Sequence, residues 1–185
     1  MPGNVEREIK LRFETPDQAR VAVLGLGATA LRGRRLQEDA LLDTADGALK
    51  RRGCALRVRA EAGRHFLTFK GPVQPSLMKL REELETVVGD TELVTGILAE
   101  LGFRVWFRYQ KYREEFSHGD VTIAVDETPL GTFVEIEGAD SGIRAAAESL
   151  GRSERDYVVE SYRTLFLVEC EKRGVAPGDM LFAEG

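Results

Sequence analysis

The sequence predicts an α+β fold built on a curled, largely antiparallel β-sheet. Strand-like segments outnumber helical ones, and most are joined by short turns, which favours antiparallel pairing. Charged residues recur at every second position of these segments, and strand residues two apart share a face. A charged face cannot pack against a dry core, because unpaired buried charge is costly. We therefore expect the sheet to close around a polar lumen, which also removes its edges, with helices covering the apolar outer face.

The strands are predicted from alternation and from turn residues. Glu61-Ala62-Gly63-Arg64 is typical of a hairpin, and Asp46-Gly47 and Gly71-Pro72 end two other strands. The predicted strands cover residues 5–13, 36–43, 54–60, 65–70, 79–87, 103–116, 120–126 and 132–138.

Four helices are predicted between and after these strands. Thr15 is the expected N-cap of the first, with Pro16 in the first helical position, and this helix should end near Gly25 or Gly27, before a loop. The others are expected at 91–101, 141–150 and 157–172. We expect a single domain over residues 1–173 and a loosely attached tail over 174–185.

Composition excludes several classes of protein. A net charge of −5 over 185 residues argues against a protein that wraps nucleic acid, whose surface would be basic. No apolar run approaches the ~18 residues of a membrane span, and the chain enters a charged strand without a signal peptide. Cys54 and Cys170 lack paired spacing, which predicts reduced thiols and a cytoplasmic location. His65 and His118 lack zinc-ligand spacing. The sequence does not decide between a monomer and a homodimer.

The alternating charges are an equal mixture of cations and acids, which suits a site that holds metal ions and a polyanion together. In the first run, Glu6, Glu8 and Lys10 form an ExExK pattern. Carboxylates two apart on a strand lie ~7 Å from each other on one face, so they can share a hard divalent cation. A solvated strand edge would give the same pattern. The full set is Glu6, Glu8, Lys10, Arg57, Arg59, Lys70, Arg81, Glu83, Glu85, Lys111, Arg113, Asp126, Glu135 and Glu137.

The ExExK strand and seven later segments together resemble the CYTH family, also called the triphosphate tunnel metalloenzymes. The family's signature opens with the same ExExK strand near the N-terminus. The resemblance spans residues 5 to about 166 in the family's order. Its further elements are Leu56-Arg57-Val58-Arg59, Leu67 to Pro72, Arg81 to Glu85, Lys111-Tyr112-Arg113, Val125-Asp126, Leu130 to Glu137 and, at the end, Ser161-Tyr162-Arg163-Thr164-Leu165.

The resemblance implies a closed eight-stranded antiparallel barrel, open as a tunnel, that binds a triphosphate together with Mg²⁺ or Mn²⁺. It implies a triphosphate grip of Lys10, Arg57, Arg59, Lys70, Arg81, Lys111 and Arg113. The metal ligands would come from Glu6, Glu8, Glu83, Glu85, Asp126, Glu135 and Glu137, with Glu6, Glu8 and Glu137 the principal ones. Glu8, Lys10, Asp126 and Glu135 are the residues expected to act in the reaction.

The resemblance leaves the reaction open. The absence of an obvious adenine pocket favours a triphosphate hydrolase acting on inorganic triphosphate or thiamine triphosphate. The alternative is an adenylate cyclase that converts ATP to cyclic AMP and pyrophosphate, and a lesser one is a non-catalytic polyphosphate- or nucleotide-binding module. The chain departs from the family at Glu160, where a lysine or arginine often precedes the Ser-Tyr pair. Arg163, Arg155 and Arg152 are candidates to replace that cation.

Other features have simpler interpretations. Gly25-Leu26-Gly27-Ala28-Thr29-Ala30 imitates a dinucleotide fingerprint, but the next segment, Leu31 to Arg35, does not suit a helix, so a helix end and loop are favoured. Short basic clusters such as Arg32 to Arg35 and Lys50-Arg51-Arg52 are usually solvated. Trp106 is expected to pack under a helix. Asp39 and Asp43 could add acidity to the lumen or be solvated.

Overall fold

A computed structural model describes residues 4–183 and shows a closed barrel of eight antiparallel strands. Around the barrel the strand order is β1-β5-β4-β3-β2-β6-β7-β8, so the predicted closed α+β barrel is confirmed. Residues 1–3 of the predicted domain and 184–185 of the predicted tail lie outside the described residues. The strands are β1 (Asn4–Phe13), β2 (Thr29–Thr44), β3 (Ala55–Glu61), β4 (Arg64–Lys70), β5 (Lys79–Val88), β6 (Phe103–His118), β7 (Val121–Thr128) and β8 (Gly131–Glu137).

Within residues 4–183, five α-helices lie on the outside and at one end of this barrel. Thr15, Asp90 and Ser161 cap three of them, each side chain accepting a hydrogen bond from a backbone N–H of the first turn, and this satisfies donors that have no partner within the helix. The predicted cap at Thr15 and proline in the first turn are confirmed. The helices are α1 (Pro16–Gly25), α2 (Ala48–Arg51), α3 (Thr91–Glu100), α4 (Asp140–Ser149) and α5 (Tyr162–Arg173).

The main hydrophobic core lies outside the barrel wall, between the sheet and two helices. Ile9 of β1 and Ile136 of β8 are fully buried, as are Val23 of α1 and Ile143 of α4. On β1 and β8 the apolar positions therefore face outward and are covered by helices, as the sequence predicts, whereas Leu84 on β5 is exposed. This leaves the charged positions to face inward.

A second apolar cluster closes part of the barrel interior. Phe107 and Phe133 share the inner side of their strands with charged residues and pack against Tyr162 at the start of α5. The Phe133 and Tyr162 rings meet edge to face at 5.3 Å. The start of helix α5 therefore fills the barrel interior next to the charged part of the lumen.

The predicted β3–β4 hairpin is confirmed. Ala62 and Gly63 form its two-residue loop and have φ of 46° and 74°. Positive φ at both central residues matches the twist of the flanking strands. The turn thereby fixes which residues of β3 and β4 share a face.

Three parts of the secondary structure differ from the prediction. Strand β2 begins at Thr29, so the stretch predicted as loop before residue 36 is paired with β6. Helix α5 begins at Tyr162, not at residue 157, because Ser161 caps it there. The short helix α2 is not apparent from the sequence, since four residues carry no periodicity.

The tail is bound to the barrel, contrary to the expectation of loose attachment. The Met180 N–H donates to the Arg108 carbonyl at 2.9 Å, and the Gln110 N–H donates to the Met180 carbonyl at 3.0 Å. The Met180 side chain is 1% exposed in the second apolar cluster. The tail thus extends the sheet along a stretch of β6 that β7 does not reach. Among residues 4–183, no helix combines the length and apolar character needed to cross a bilayer.

Asp43 has a structural role at the end of β2. Its carboxylate accepts hydrogen bonds of 2.8–2.9 Å from the backbone N–H groups of Thr44, Leu49 and Lys50. Burial alone would raise the pKa of Asp43, but these donors outweigh it and hold the pKa below its ordinary value. Of the two interpretations of Asp43, lumen acidity is not what the structure shows.

We expect Asp43→Ala to lower the free energy of unfolding by about 1–3 kcal/mol at neutral pH, because it leaves backbone donors without a partner. The depressed pKa makes this contribution complete above the ordinary aspartate pKa and smaller as acid protonates the carboxylate. Urea denaturation from pH 7 to pH 3 measures both effects. The control is Glu148→Gln on the exposed side of α4. An equal deficit at both pH values would contradict the charged cap.

Candidate active site

The lumen is a cavity of about 1130 Å³ whose wall is dominated by charged side chains. These come from alternate positions of the strands, as the period of two requires. Every site residue predicted from the sequence lines this cavity except Asp126. The assignment of individual roles remains a prediction, but the structure brings these side chains together.

Asp126 lies behind the wall and anchors two of the cations. It is fully buried and accepts hydrogen bonds from Lys111 Nζ at 2.8 Å, from Arg113 Nε at 2.7 Å and from the Tyr162 hydroxyl at 2.7 Å. Burial would raise the pKa of Asp126, but Arg113 and Lys111 lower it, so the carboxylate stays charged. Its oxygens are occupied, so the geometry favours a positioning role over contact with a metal or substrate.

A second group surrounds Glu8 at the centre of the wall. Lys10 Nζ lies 2.9 Å from Glu8 and 3.3 Å from Glu135, and Lys79 also pairs with Glu8. The pKa of Glu8 is lowered: burial and Glu135 push it up, and Lys10 and Lys79 outweigh them. Burial and the charge of Lys10 lower the pKa of Lys79 to about 8. Lys79 is missing from the sequence-based set, although it precedes Arg81 by two residues on β5 and shares its face.

A third group links β1, β4 and β5. Lys70 Nζ lies 2.7 Å from Glu6 and 2.5 Å from Glu83, and Arg81 Nε lies 3.4 Å from Glu6. Burial and Glu8 would raise the pKa of Glu6, but Lys70 lowers it. Each of these acids therefore has a cation within reach.

Arg57 and Arg59 are held by acids of β2 and β5. Arg59 donates to Asp39 from Nε at 2.8 Å and from Nη2 at 3.2 Å, and Arg57 Nη2 lies 3.2 Å from Glu85. Asp39 is 3% exposed, so of its two interpretations the solvated one is wrong. It directs the arginines of β3 and does not itself line the cavity.

A further ion-pair cluster at the β2 end of the lumen is not apparent from the sequence. Arg35 lies 2.5 Å from both Glu61 and Glu115, and Arg32 Nε lies 2.7 Å from Glu115. Outside the lumen, Arg34 pairs with Glu127 at 2.8 Å. Acids of other strands therefore neutralise the basic run of β2, Arg32 to Arg35. The expectation that these side chains are solvated is confirmed only in part. Glu61 continues the two-residue spacing of Arg57 and Arg59 on β3, and Glu115 that of Lys111 and Arg113 on β6, which is the signal that could have identified them.

Glu137 differs from the other lumen acids. Its Cα pairs with that of Glu8 across β1 and β8, yet among the described residues it forms no ion pair. Burial and the charges of Glu6, Glu135 and Glu8 raise the pKa of Glu137 to about 7. A cation placed here would relieve that repulsion.

Tyr162 and Glu160 border the cavity from the α5 side. The Tyr162 ring centroid lies 5.3 Å from Lys10 Nζ and 5.1 Å from Lys111 Nζ. Glu160 lines the cavity, so an acid stands there in place of the lysine or arginine that the family often has. Of the three arginines considered as replacements, Arg163 lines the cavity and Arg152 and Arg155 do not.

The model of the CYTH domain family matches residues 4–162. The chain belongs to the CYTH family. Within that family, a protein from Methanocaldococcus jannaschii named as a candidate adenylate cyclase is 31% identical over 157 residues, which make up 84% of each chain.

Solved structures share the CYTH fold with this chain. A candidate adenylate cyclase from Vibrio parahaemolyticus superposes with a TM-score of 0.76 at 23% identity, covering 88% of this chain and 98% of its own. A candidate adenylyl cyclase from Hippeastrum, described as revealing a dominant triphosphatase activity, superposes with a TM-score of 0.69 at 20% identity, covering 93% and 97%. At these identities the likeness shows the fold alone.

CYTH proteins are metal-dependent in general, and the donor set here fits a hard divalent cation. Glu6, Glu8 and Glu137 supply carboxylate oxygens, the ligands that Mg²⁺ and Mn²⁺ prefer. Within residues 4–183, no three acid, histidine or cysteine side chains are gathered as a ready metal site. Lysines and arginines instead hold Glu6 and Glu8, so a cation would have to displace them.

We expect Asp126→Asn to lower the free energy of unfolding by about 3–5 kcal/mol, because Lys111 and Arg113 lose the charge that compensates their burial. Glu137→Gln is the matched control: it removes a repelling charge, so stability should be unchanged or raised. Urea denaturation of both variants at pH 7 measures the contrast. Equal stability of the two would exclude an anchoring role for Asp126.

Proposed function

We propose that this protein is a divalent-metal-dependent hydrolase of small triphosphates, with its active site in the barrel lumen. The observation that carries the proposal is a single cavity lined by lysines and arginines from six strands, which form ion pairs with acids of the same wall. Such a lining can bind a polyanion and a metal ion at once. Members of the CYTH family are triphosphatases or adenylate cyclases, which supports the same class of substrate.

The cations would bind the phosphate chain. Arg57, Arg59, Lys70, Lys111 and Arg113 reach the cavity from three strands, so they can contact successive phosphates of an extended chain. A charge-assisted hydrogen bond from a lysine or arginine contributes about 1.5–3 kcal/mol. Burial and the charge of Arg113 lower the pKa of Lys111 to about 8, and an incoming phosphate would stabilise its charged form.

The acids would hold the metal and position water. A bound Mg²⁺ or Mn²⁺ supplies Lewis-acid stabilisation of the charge that develops on phosphate oxygens. Glu6, Glu8 and Glu137 would be its ligands, with Glu83, Glu85 and Glu135 available for support. Glu135 lies beside Lys10 in the wall, where a carboxylate can orient the attacking water and an ammonium can neutralise the phosphate it attacks. Asp126 would act through Lys111 and Arg113.

Cyclisation of ATP is the second candidate. The Methanocaldococcus relative, named as a candidate adenylate cyclase, favours it. Hydrolysis and cyclisation require the same phosphate grip and differ in the nucleophile, which is water in one case and the ribose 3′-hydroxyl in the other.

We expect Glu8→Gln to reduce turnover of tripolyphosphate at least about 100-fold, the scale of losing one electrostatic contribution to the transition state. An amide is also a poorer ligand for a hard cation than a carboxylate, so Mn²⁺ affinity measured by electron paramagnetic resonance should fall. Glu92→Gln on the exposed side of α3 is the control. Glu6→Gln is a second variant if the Glu8 variant melts early. Normal activity of a folded Glu8→Gln protein, or in excess chelator, would refute the metal role.

The products identify the reaction. With Mg²⁺ or Mn²⁺, we expect orthophosphate from tripolyphosphate, and orthophosphate with ADP from ATP, in assays that separate the products by ion-exchange chromatography. Cyclic AMP and pyrophosphate from ATP, without orthophosphate from tripolyphosphate, would establish the cyclase instead. Tight binding of tripolyphosphate without any product would establish the binding module.

A further inference from the structure

Trp106, the single tryptophan of the chain, lies where β6 departs from regular pairing. Leu41 of β2 faces Phe107, and Leu42 faces Val105, so Trp106 is the extra residue of a β-bulge. A bulge changes the direction of the side chain it carries. Trp106 accordingly lines the charged cavity and is 37% exposed, so the expectation that it packs under a helix is wrong.

Two cations lie close to the indole ring. The guanidinium carbon of Arg163 lies 4.2 Å from a Trp106 ring centroid, and Lys50 Nζ lies 5.4 Å from it. Lys50 belongs to α2 and Arg163 to the first turn of α5, and both line the same cavity. Within the described residues neither forms an ion pair, in contrast to the lumen cations that hold Glu6, Glu8 and Asp126.

This group adjoins the proposed phosphate site. Arg163 is next in the chain to Tyr162, whose ring contacts Lys10 and Lys111. On the β-sheet side, Leu41 pairs with both Phe107, next to Trp106, and Arg57. A molecule with its phosphates among the lumen cations would therefore place a bulky terminal group near Trp106.

We propose that Trp106, Lys50 and Arg163 form a ledge that binds the neutral heteroaromatic base of a nucleoside triphosphate. The inference rests on the proposed function and specifies its substrate class. An aromatic side chain stacks on any base, and cations beside it can donate hydrogen bonds to the ring nitrogens and carbonyls of a base. The same two cations disfavour a positively charged ring such as the thiazolium of thiamine triphosphate, because like charges repel.

Because the chain has one tryptophan, its fluorescence reports on this ledge directly. We expect the β,γ-imido analogue of ATP, with Mg²⁺, to quench Trp106 emission in a saturable manner. Tripolyphosphate should bind in the same buffer, as isothermal titration calorimetry can show, without comparable quenching. Equal quenching by both ligands, or none by the analogue at saturation, would overturn the proposal.

Substitution of Trp106 separates the contribution of the base to binding from that of the phosphates. Trp106→Leu keeps apolar bulk and removes the stacking surface, so the Kd of the ATP analogue should rise about tenfold, equivalent to ~1.4 kcal/mol. The Kd of tripolyphosphate should change less than twofold. Trp106→Phe keeps an aromatic ring and should retain most of the affinity, which distinguishes stacking from a packing role. Parallel losses for both ligands in a folded Trp106→Leu protein would refute the ledge.

Two further outcomes test the ligand class and the dependence on the proposed function. A Trp106→Leu effect on thiamine triphosphate larger than that on the ATP analogue would overturn the assignment to a neutral base. The fluorescence and calorimetry measurements do not require turnover. If the protein hydrolyses neither ligand but only the ATP analogue quenches Trp106 emission, the hydrolase is rejected and the ledge is retained. Hydrolysis with equal responses of ATP and tripolyphosphate to Trp106→Leu would retain the hydrolase and reject the ledge.

Discussion

The pairing of buried charges inside the barrel is the interaction on which the rest of the structure depends. A sheet with this many inward-facing ions is stable only if most of them find a counter-charge, because an isolated buried ion costs several kcal/mol. Strand order provides the counter-charges, since acids of β1, β7 and β8 lie beside cations of β5 and β6. Asp126, with Lys111, Arg113 and Tyr162 around it, is the most completely satisfied example.

The same pairing explains how the lumen could admit two ligands of opposite charge. A metal ion that binds Glu6 and Glu8 would release Lys70 and Lys10 to bind phosphate, and a triphosphate would release those acids in turn. By linkage, each ligand would raise the affinity for the other by the same factor. Glu137 is a strand acid of the lumen with which no described residue forms an ion pair, and burial and the charges of Glu6, Glu135 and Glu8 raise its pKa.

The two ends of the cavity are built from different chemistry. Around Glu61 and Glu115, the acids are paired with Arg32 and Arg35. On the α5 side, the Trp106 ring lies close to two cations, Lys50 and Arg163, for which residues 4–183 supply no acid. If Trp106 and its two cations bind a base as proposed, a linear substrate would have one direction in which its non-phosphate end is accommodated. Hydrolysis and cyclisation would share that orientation.

The sequence by itself determined which face of the sheet each strand residue occupies. Strand alternation placed Arg57, Lys70 and Glu135 on the inner side, and turn and cap residues such as Gly63 and Thr15 set where elements change direction. Only the tertiary structure decided the partners. The two-residue alternation along a strand does not reveal which strand lies across from Asp126, nor that Lys79 pairs with Glu8. The bulge at Trp106 and the docking of Met180 depend on register and on an uncovered length of β6, which are set by pairing between distant segments.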